Sequence, residues 1–320
     1  MPAFSTDFDL LTTLDPAQRR RLEKLPFYAI WRRLLRPRTC FVGTTVSEYA
    51  LFSQNQTPAD FINSLLGLTR KHSFIIIKDI PSDSALVGET AHEYNLKLVK
   101  ACQQAGFVMV EGQALAYVPI NFESIDVFLA RMSYTRRKNI RRKLRASPHL
   151  KIKTLHTGDK AFLDQEVLDE FYGLYRNVYD QSEIHFDLLS TDFFKAVLQD
   201  AGSGGVVFCY YSGDALIGYN LCFEHNGMLL DKYVGFAYPQ AREQNLYFVS
   251  WFHNLEYSLA RDLRHYVAGW TDPEVKRDLG ASFTFTRHAV YVRNPWLRRM
   301  LLPFKRHFEA DSNWRATTHH

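Results

Sequence analysis

Long apolar runs are missing from this 320-residue chain. The strongest, Phe74-Ile75-Ile76-Ile77, falls far short of the roughly 20 residues a bilayer-spanning helix needs. Cysteine is scarce. Cys40, Cys102, Cys209 and Cys222 form no CxxC pair and no zinc-finger spacing. Three of them lie in apolar stretches, where a thiol behaves as a small hydrophobe, so reduced, buried thiols in a cytoplasmic protein are expected. The twelve histidines are scattered and HExxH is absent, so no metal is expected. There is no Gly-x-Ser-x-Gly elbow for a serine nucleophile. The first residues, MPAFSTDFDLL, lack the basic start and apolar run of a secretory leader.

What the chain does have is aromatic side chains and clustered positive charge. It holds 24 Phe, 17 Tyr and 5 Trp; apolar residues are 46% and charged residues 23%, the balance of a folded protein and not of a disordered one. The length allows two domains. The net charge is +5, and the basic residues fall in three places. The first is an arm over residues 1–38 with Arg19, Arg20, Arg21, Lys24, Arg32, Arg33, Arg36 and Arg38 around Phe27, Tyr28 and Trp31; it has no strand alternation. The second is a connector over 122–150, and the third a tail over 294–320 with Trp296, Leu297, Arg298, Arg299, Phe304, Lys305 and Arg306. Arm and tail either pack on the body or lie on an anionic membrane surface.

Between them, residues 39–121 and 151–293 read as two α/β domains. In the first, Thr57-Pro58 opens a helix, Phe74–Ile80 is a strand buried on both faces, and Leu96, Val99 and Cys102 mark the apolar side of a helix stopped by Gly106. Strands are expected at 107–111 and 114–120, with Gly112 turning between them. The connector reads as one helix over 122–146. In the second domain an amphipathic helix (Leu168, Phe171, Leu174, Tyr175) and a second helix at 191–200 precede three strands, 206–211, 215–223 and 228–236. Asn226-Gly227 is a hairpin signal. A helix at 246–261, a strand at 265–268, a short helix ending on Gly280 and a strand at 283–292 complete it.

Helix, helix, three-strand meander, helix, strand, helix, strand is the order of elements in the GNAT fold. The chain resembles the BioF2-like/Fem-type branch of that superfamily, built from two GNAT-like domains in tandem, over roughly residues 40–300. The carriers are Gly112-Gln113-Ala114-Leu115-Ala116-Tyr117-Val118-Pro119-Ile120, the run Tyr134–Leu144, the meander, and Lys276-Arg277-Asp278-Leu279-Gly280-Ala281, which is similar to a Lys-x-x-(Phe/Leu)-Gly signature. The resemblance implies transfer of an acyl or aminoacyl group from an acyl-CoA, an acyl carrier protein or an aminoacyl-tRNA to an amine, with no tightly bound cofactor. It also implies Lys276 as a ligand-binding cation. One departure stands out: the glycine-rich pyrophosphate loop of a standard GNAT enzyme is replaced by Tyr238-Pro239-Gln240-Ala241-Arg242-Glu243-Gln244-Asn245. Arg242 and the helix start at Asn245 remain as phosphate-binding candidates.

Acyl transfer to an amine needs a proton acceptor, donors for the tetrahedral oxyanion, and a grip on the carrier. Asp231 and Tyr233, two apart on the third meander strand, are expected on one face, Asp231 to orient or deprotonate the amine and Tyr233 to serve the oxyanion. Their alternative is a paired carboxylate and a packed ring. Asp272 and Lys276, four apart, are either a ligand pair or a surface ion pair. Glu183 and His185 lie in the loop that lines the acceptor site in GNAT-like folds, with His185 as a candidate base; Tyr175, Tyr179 and Tyr219 are pocket candidates. From Arg131 to Arg145 there are eight basic residues and no acid. They form a solvated face or a site for a phosphate-bearing partner, tRNA, carrier protein or anionic lipid, with Arg137 and Arg141 as contacts; no DNA partner is expected. The competing function is a non-catalytic RNA- or anionic-lipid-binding protein on the same scaffold.

Overall fold

The structure is a computed structural model and describes residues 2–13, 16–24, 26, 28, 32–50, 52–182 and 188–301. The chain opens on β1 (Ala3–Asp7), a strand where none was expected. It pairs antiparallel with β2 (Arg38–Val42), Ala3 opposite Val42 and Asp7 opposite Arg38. Five exposed residues on one edge carry no burial alternation, so only the partner strand reveals them. Between the two lies α1 (Pro16–Glu23).

Next come α2 (Pro58–Leu68), with Pro58 in its first turn and Thr57 Oγ1 accepting the Asp60 N–H at 3.2 Å, and β3 (Phe74–Ser82). In α3 (Glu89–Gln104) the buried stripe is Tyr94, Leu98 and Cys102, spaced by four; Leu96, expected on that side, is 51% exposed. β4 (Val108–Pro119) is one strand that runs through Gly112, not two strands with a turn. The glycine serves close approach: a Cβ there would lie 2.1 Å from Thr286 Oγ1 and 3.2 Å from His288 Nε2. Gly112→Ala should therefore cost about 1–3 kcal/mol through overpacking. Urea denaturation measures it, and an unchanged midpoint would refute the steric account.

The expected connector helix is broken into α4 (Ile125–Ala130) and α5 (Tyr134–Lys143). Two serines decide this. Ser124 Oγ accepts the Val127 N–H at 3.3 Å and Ser133 Oγ accepts the Arg136 N–H at 3.4 Å, each starting a helix of its own. There follow β5 (Lys151–His156), α6 (Gln165–Gln181), α7 (Thr191–Gln199), β6 (Gly205–Ser212), β7 (Ala215–His225), β8 (Met228–Phe236), α8 (Gln240–Glu243), α9 (Leu246–Ala260), β9 (His265–Gly269), α10 (Pro273–Asp278), β10 (Ser282–Val292) and α11 (Pro295–Leu301). Asn226 and Gly227, with φ of 50° and 73°, turn the β7–β8 hairpin as a type I′ turn requires.

Two compact units result, one of residues up to Leu115 and from Phe283 on, the other Ala116–Ser282. In the first, β2 runs parallel to β3 and β10 antiparallel to it, over a core that includes Val42, Ile62, Ile75, Ile77, Leu98 and Ala289. In the second the strand order is β4-β9-β8-β7-β6-β5, β4 contributing Ala116–Pro119. Only β8 and β9 are parallel; the other pairs are antiparallel. One face packs on α6 and α7 through Leu168, Phe171, Leu174, Phe194, Val207, Tyr219 and Leu221. The opposite face packs on α9 through Phe208, Leu229, Trp251, Phe252, Leu255 and Tyr266. Each such fully buried side chain stabilises the unit by about 1.5–3 kcal/mol. This is the mixed α/β architecture expected, and the four cysteines are buried free thiols within it. No helix among the described residues is long and apolar enough to cross a membrane.

Candidate active site

Strands β8 and β9 pair over three positions only, Met228 with His265, Leu229 with Tyr266 and Leu230 with Val267. Both strands continue, so a fork opens beyond Leu230, and Asp231 is the first residue inside it. At the same place the β7–β8 register slips: Leu221 pairs with Tyr233 but Cys222 pairs with Asp231. Lys232 is an extra residue, a β-bulge.

The bulge overturns the side-chain alternation expected of Asp231 and Tyr233. Cross-strand partners share a face, and Leu221 and Cys222 face opposite ways. Tyr233 therefore turns to the α6–α7 side, its ring edge-on to Tyr175 at 6.3 Å, while Asp231 turns to the α9 side. There four hydrogen bonds reach its carboxylate. Asn220 Nδ2 donates to Oδ1 at 3.1 Å and to Oδ2 at 2.9 Å; Asn254 Nδ2 and the Tyr266 hydroxyl donate to Oδ2 at 3.0 and 2.9 Å. Cys222 Sγ lies 3.7 Å from Oδ1. Burial raises the Asp231 pKa, and the donors and the Lys276 charge oppose the rise. Each of these hydrogen bonds favours the carboxylate anion against the cost of burying it.

Lys276 comes from α10 and is only 4% exposed. Its Nζ donates to the carbonyl of Ala268 at 2.7 Å, the residue that follows the last paired position of β9. The ammonium thus takes over an acceptor on β9 where pairing with β8 has ended. Burial lowers its pKa to about 8, against the attraction of Asp231 and Asp272. Asp272, at the start of α10 with φ of 53°, is exposed and acts on Lys276 at longer range.

The remaining candidates separate. Tyr219, expected at a pocket, is fully buried on the opposite face, its hydroxyl donating to the Phe171 carbonyl at 3.2 Å. Tyr175 is likewise core, its hydroxyl accepting the Leu189 N–H at 3.2 Å, with the Tyr179 ring tilted against it at 6.4 Å. Tyr175 and Tyr219 thus lie on the α6–α7 face, opposite the one that carries Asp231. Arg242 donates to Gln181 Oε1 at 2.7 Å and covers the Tyr238 ring at 4.9 Å; Asn245 begins α9 in a left-handed conformation. Arg137 donates to the Met132 carbonyl at 3.3 Å and Arg141 to Asp126 at 2.8 Å. The acids missing from the basic run thus come from outside it, Asp126 for Arg141 and Asp278 for Arg136 at 3.1 Å. Glu183 and His185 lie outside the described residues. Among those described, no group of three His, Cys, Asp or Glu side chains could hold a metal ion.

Asn220, Asn254 and Tyr266 were not expected at Asp231 from the sequence. A signal existed for the first two: each is a single amide inside an otherwise apolar buried element, and a buried amide needs a partner.

The chain matches, over residues 82–317, the model of the FemAB-like family, described as peptidoglycan biosynthesis/recognition. No curated protein matches it. Among solved structures it is similar to the C-terminal domain of a proposed lysylphosphatidylglycerol synthetase from Agrobacterium fabrum, at 9% identity and a TM-score of 0.55, over 83% of this chain and 80% of that one. L-PGS from Bacillus licheniformis is similar at 9% identity and a TM-score of 0.53, covering 78% and 77%. FemX is similar at 13% and 0.50, covering 82% of each. At such identities the likeness is one of fold. With most of its length inside the family's model, this chain belongs to the FemAB-like family and has a Fem-type α/β fold.

Proposed function

We propose that the protein is an N-acyltransferase that moves an acyl or aminoacyl group from an activated carrier to an amino group of a small-molecule, lipid or cell-wall-precursor acceptor by direct attack. The observation that carries this reading is the buried Lys276 ammonium in the β8–β9 fork. One of its N–H groups is used by Ala268, and the other two have no hydrogen-bond partner among the described residues. The amine nitrogen attacks the carbonyl carbon, and the π pair moves to oxygen. The two unused N–H groups then serve the oxyanion. Collapse re-forms C=O and expels the carrier's oxygen or sulfur, which takes the proton released by the amine. Asp231, held by four hydrogen bonds from three side chains, favours the charged form of Lys276.

The family's link to peptidoglycan and a fold neighbour named for lysylphosphatidylglycerol, an aminoacylated lipid, support an acceptor at the cell envelope. Acyl-CoA, an acyl carrier protein and aminoacyl-tRNA all fit as carriers. The short helix α8, with Arg242 engaged by Gln181 and Tyr238 where a pyrophosphate loop would lie, favours the latter two.

The test supplies acetyl-CoA or a pool of aminoacyl-tRNAs, the latter with and without ribonuclease. The acceptor is a soluble peptidoglycan peptide bearing a free ε-amino group or phosphatidylethanolamine vesicles, and mass spectrometry reads the product. If no donor loses its acyl group faster than in buffer, the reading is wrong. The pH profile carries a second expectation. Lys276 holds its proton with a pKa of about 8 in the fold against an ordinary 10.5, so the unfolded chain binds more protons between these values. The contribution of Lys276 to stability therefore rises with pH from about 8 to 10.5, while the charged form the rate depends on is lost. kcat should fall above about pH 8 with no matching loss of folded protein; a flat profile to pH 10 would detach Lys276 from the rate.

A further inference from the structure

The α9 face of the second unit holds several buried polar atoms with no hydrogen-bond partner among the described residues: Tyr210 Oη, Asn220 Oδ1, Tyr247 Oη, Trp251 Nε1, His253 Nε2 and Asn254 Oδ1. A buried hydroxyl without a partner has given up water for nothing, so each such atom asks what it is kept for. The position of Tyr247 supplies an answer. Helix α9 connects β8 to the parallel strand β9, so it runs back along them. Its first turn, where Tyr247 sits, lies at the C-terminal end of both strands, beyond the point where they part.

Tyr247, Trp251 and Asn254 are spaced by four and three, one stripe of the helix. Asn254 reaches Asp231 at 3.0 Å, and Trp251 packs edge-on to Tyr266 at 5.1 Å. Tyr247 lies about 10 Å further along the helix axis than Asn254 at 1.5 Å per residue, towards the open end of the fork. That is the end where Lys276 holds the Ala268 carbonyl and where α10 begins at Asp272.

We infer that Tyr247 is a catalytic residue of this site, its hydroxyl donating a hydrogen bond to the carbonyl oxygen of the transferred acyl group alongside the Lys276 ammonium. The inference rests on the acyl-transfer reading above and names a second donor for the same oxygen. It assigns to Tyr247 the role expected of Tyr233, which the bulge at Lys232 carries to the other face. Burial, with the charges of Asp272 and Asp231, keeps the phenol protonated, and a protonated phenol is a donor throughout the working pH range. The hydroxyl serves the ground-state carbonyl weakly and the oxyanion strongly, so it acts on kcat more than on KM.

The experiment compares the full-length protein with Tyr247→Phe and Tyr210→Phe. The second removes another unpartnered buried hydroxyl from the same face, but on β6, two strands from β8. Each is assayed with acetyl-CoA and with the aminoacyl-tRNA pool, using the acceptors named above, and each is melted. Tyr247→Phe should lose about 10- to 100-fold in kcat with KM within about twofold, while its melting temperature stays level or rises. Tyr210→Phe should keep its kcat. Unchanged kcat in Tyr247→Phe, an equal loss in both variants, or a loss that follows a lowered melting temperature overturns the assignment while leaving acyl transfer standing. Absence of transfer by the unsubstituted protein with every donor overturns the acyl-transfer reading, and the assignment falls with it.

Discussion

Lys276→Met should lower kcat by about 10²- to 10³-fold, the range found when one oxyanion donor is removed from a preorganised site. Methionine fills nearly the same volume without charge, so packing around α10 is preserved. The buried ammonium now donates to the Ala268 carbonyl at 2.7 Å; methionine leaves that acceptor unpaired, a cost of about 1–3 kcal/mol. Removing a desolvated cation repays part of it. Stability should therefore change little while the rate collapses. The Asp231 carboxylate keeps its four hydrogen bonds, so the fork holds its shape. Steady-state kinetics beside a urea titration separate the two effects. A kcat within threefold of the unsubstituted protein would remove Lys276 from the chemistry.

Asp231→Ala should act the other way round, on stability first. The carboxylate is the common acceptor for Asn220, Asn254 and Tyr266, and Asn254 and Tyr266 also bond each other at 3.2 Å. Truncation leaves the Asn220 amide without an acceptor and the buried Lys276 cation without its nearest anion. Breaking a buried charge arrangement by removing one partner typically costs about 3–5 kcal/mol. Activity at neutral pH should fall with it, because Lys276, no longer held by Asp231, sheds its proton more readily. Asp231→Asn, close in shape and able to accept at one oxygen, should lose clearly less stability than the alanine variant. Equal denaturation midpoints for Asp231→Ala and the unsubstituted protein would mean that the network contributes nothing to the fold.

How much of this was legible in the residues varied with the range of the signal. Local chemistry read well. Asn226-Gly227 announced the hairpin and Thr57-Pro58 the start of α2; Lys276 was singled out only through the family resemblance of the Lys276–Gly280 ending, and its burial came from the structure. Signals that depend on a partner did not. The short strand β1 exists only through β2, and Gly112 looks like a turn until Thr286 and His288 are seen against it. Two serines nine apart split what the charge pattern drew as one helix. The candidate site followed the same rule. Asp231 was singled out from its strand position and Lys276 from the resemblance, but Tyr233 was placed on the wrong face by one inserted residue in β8, which no periodicity reports. Asn220 and Asn254 were visible only as polar interruptions in apolar elements.

That inserted residue, Lys232, has a further consequence. It works as a parity switch: before it, β8 presents Leu229 and Asp231 to the α9 layer, and after it Tyr233 to the α6–α7 layer. The strand thereby gives its carboxylate to one layer and its aromatic ring to the other. If the fork is the site of acyl transfer, exchanging Tyr175, Phe194 or Tyr219 for other large apolar groups should cost stability and leave the rate unchanged. Two layers are thus served by alternate stretches of a single strand of nine residues.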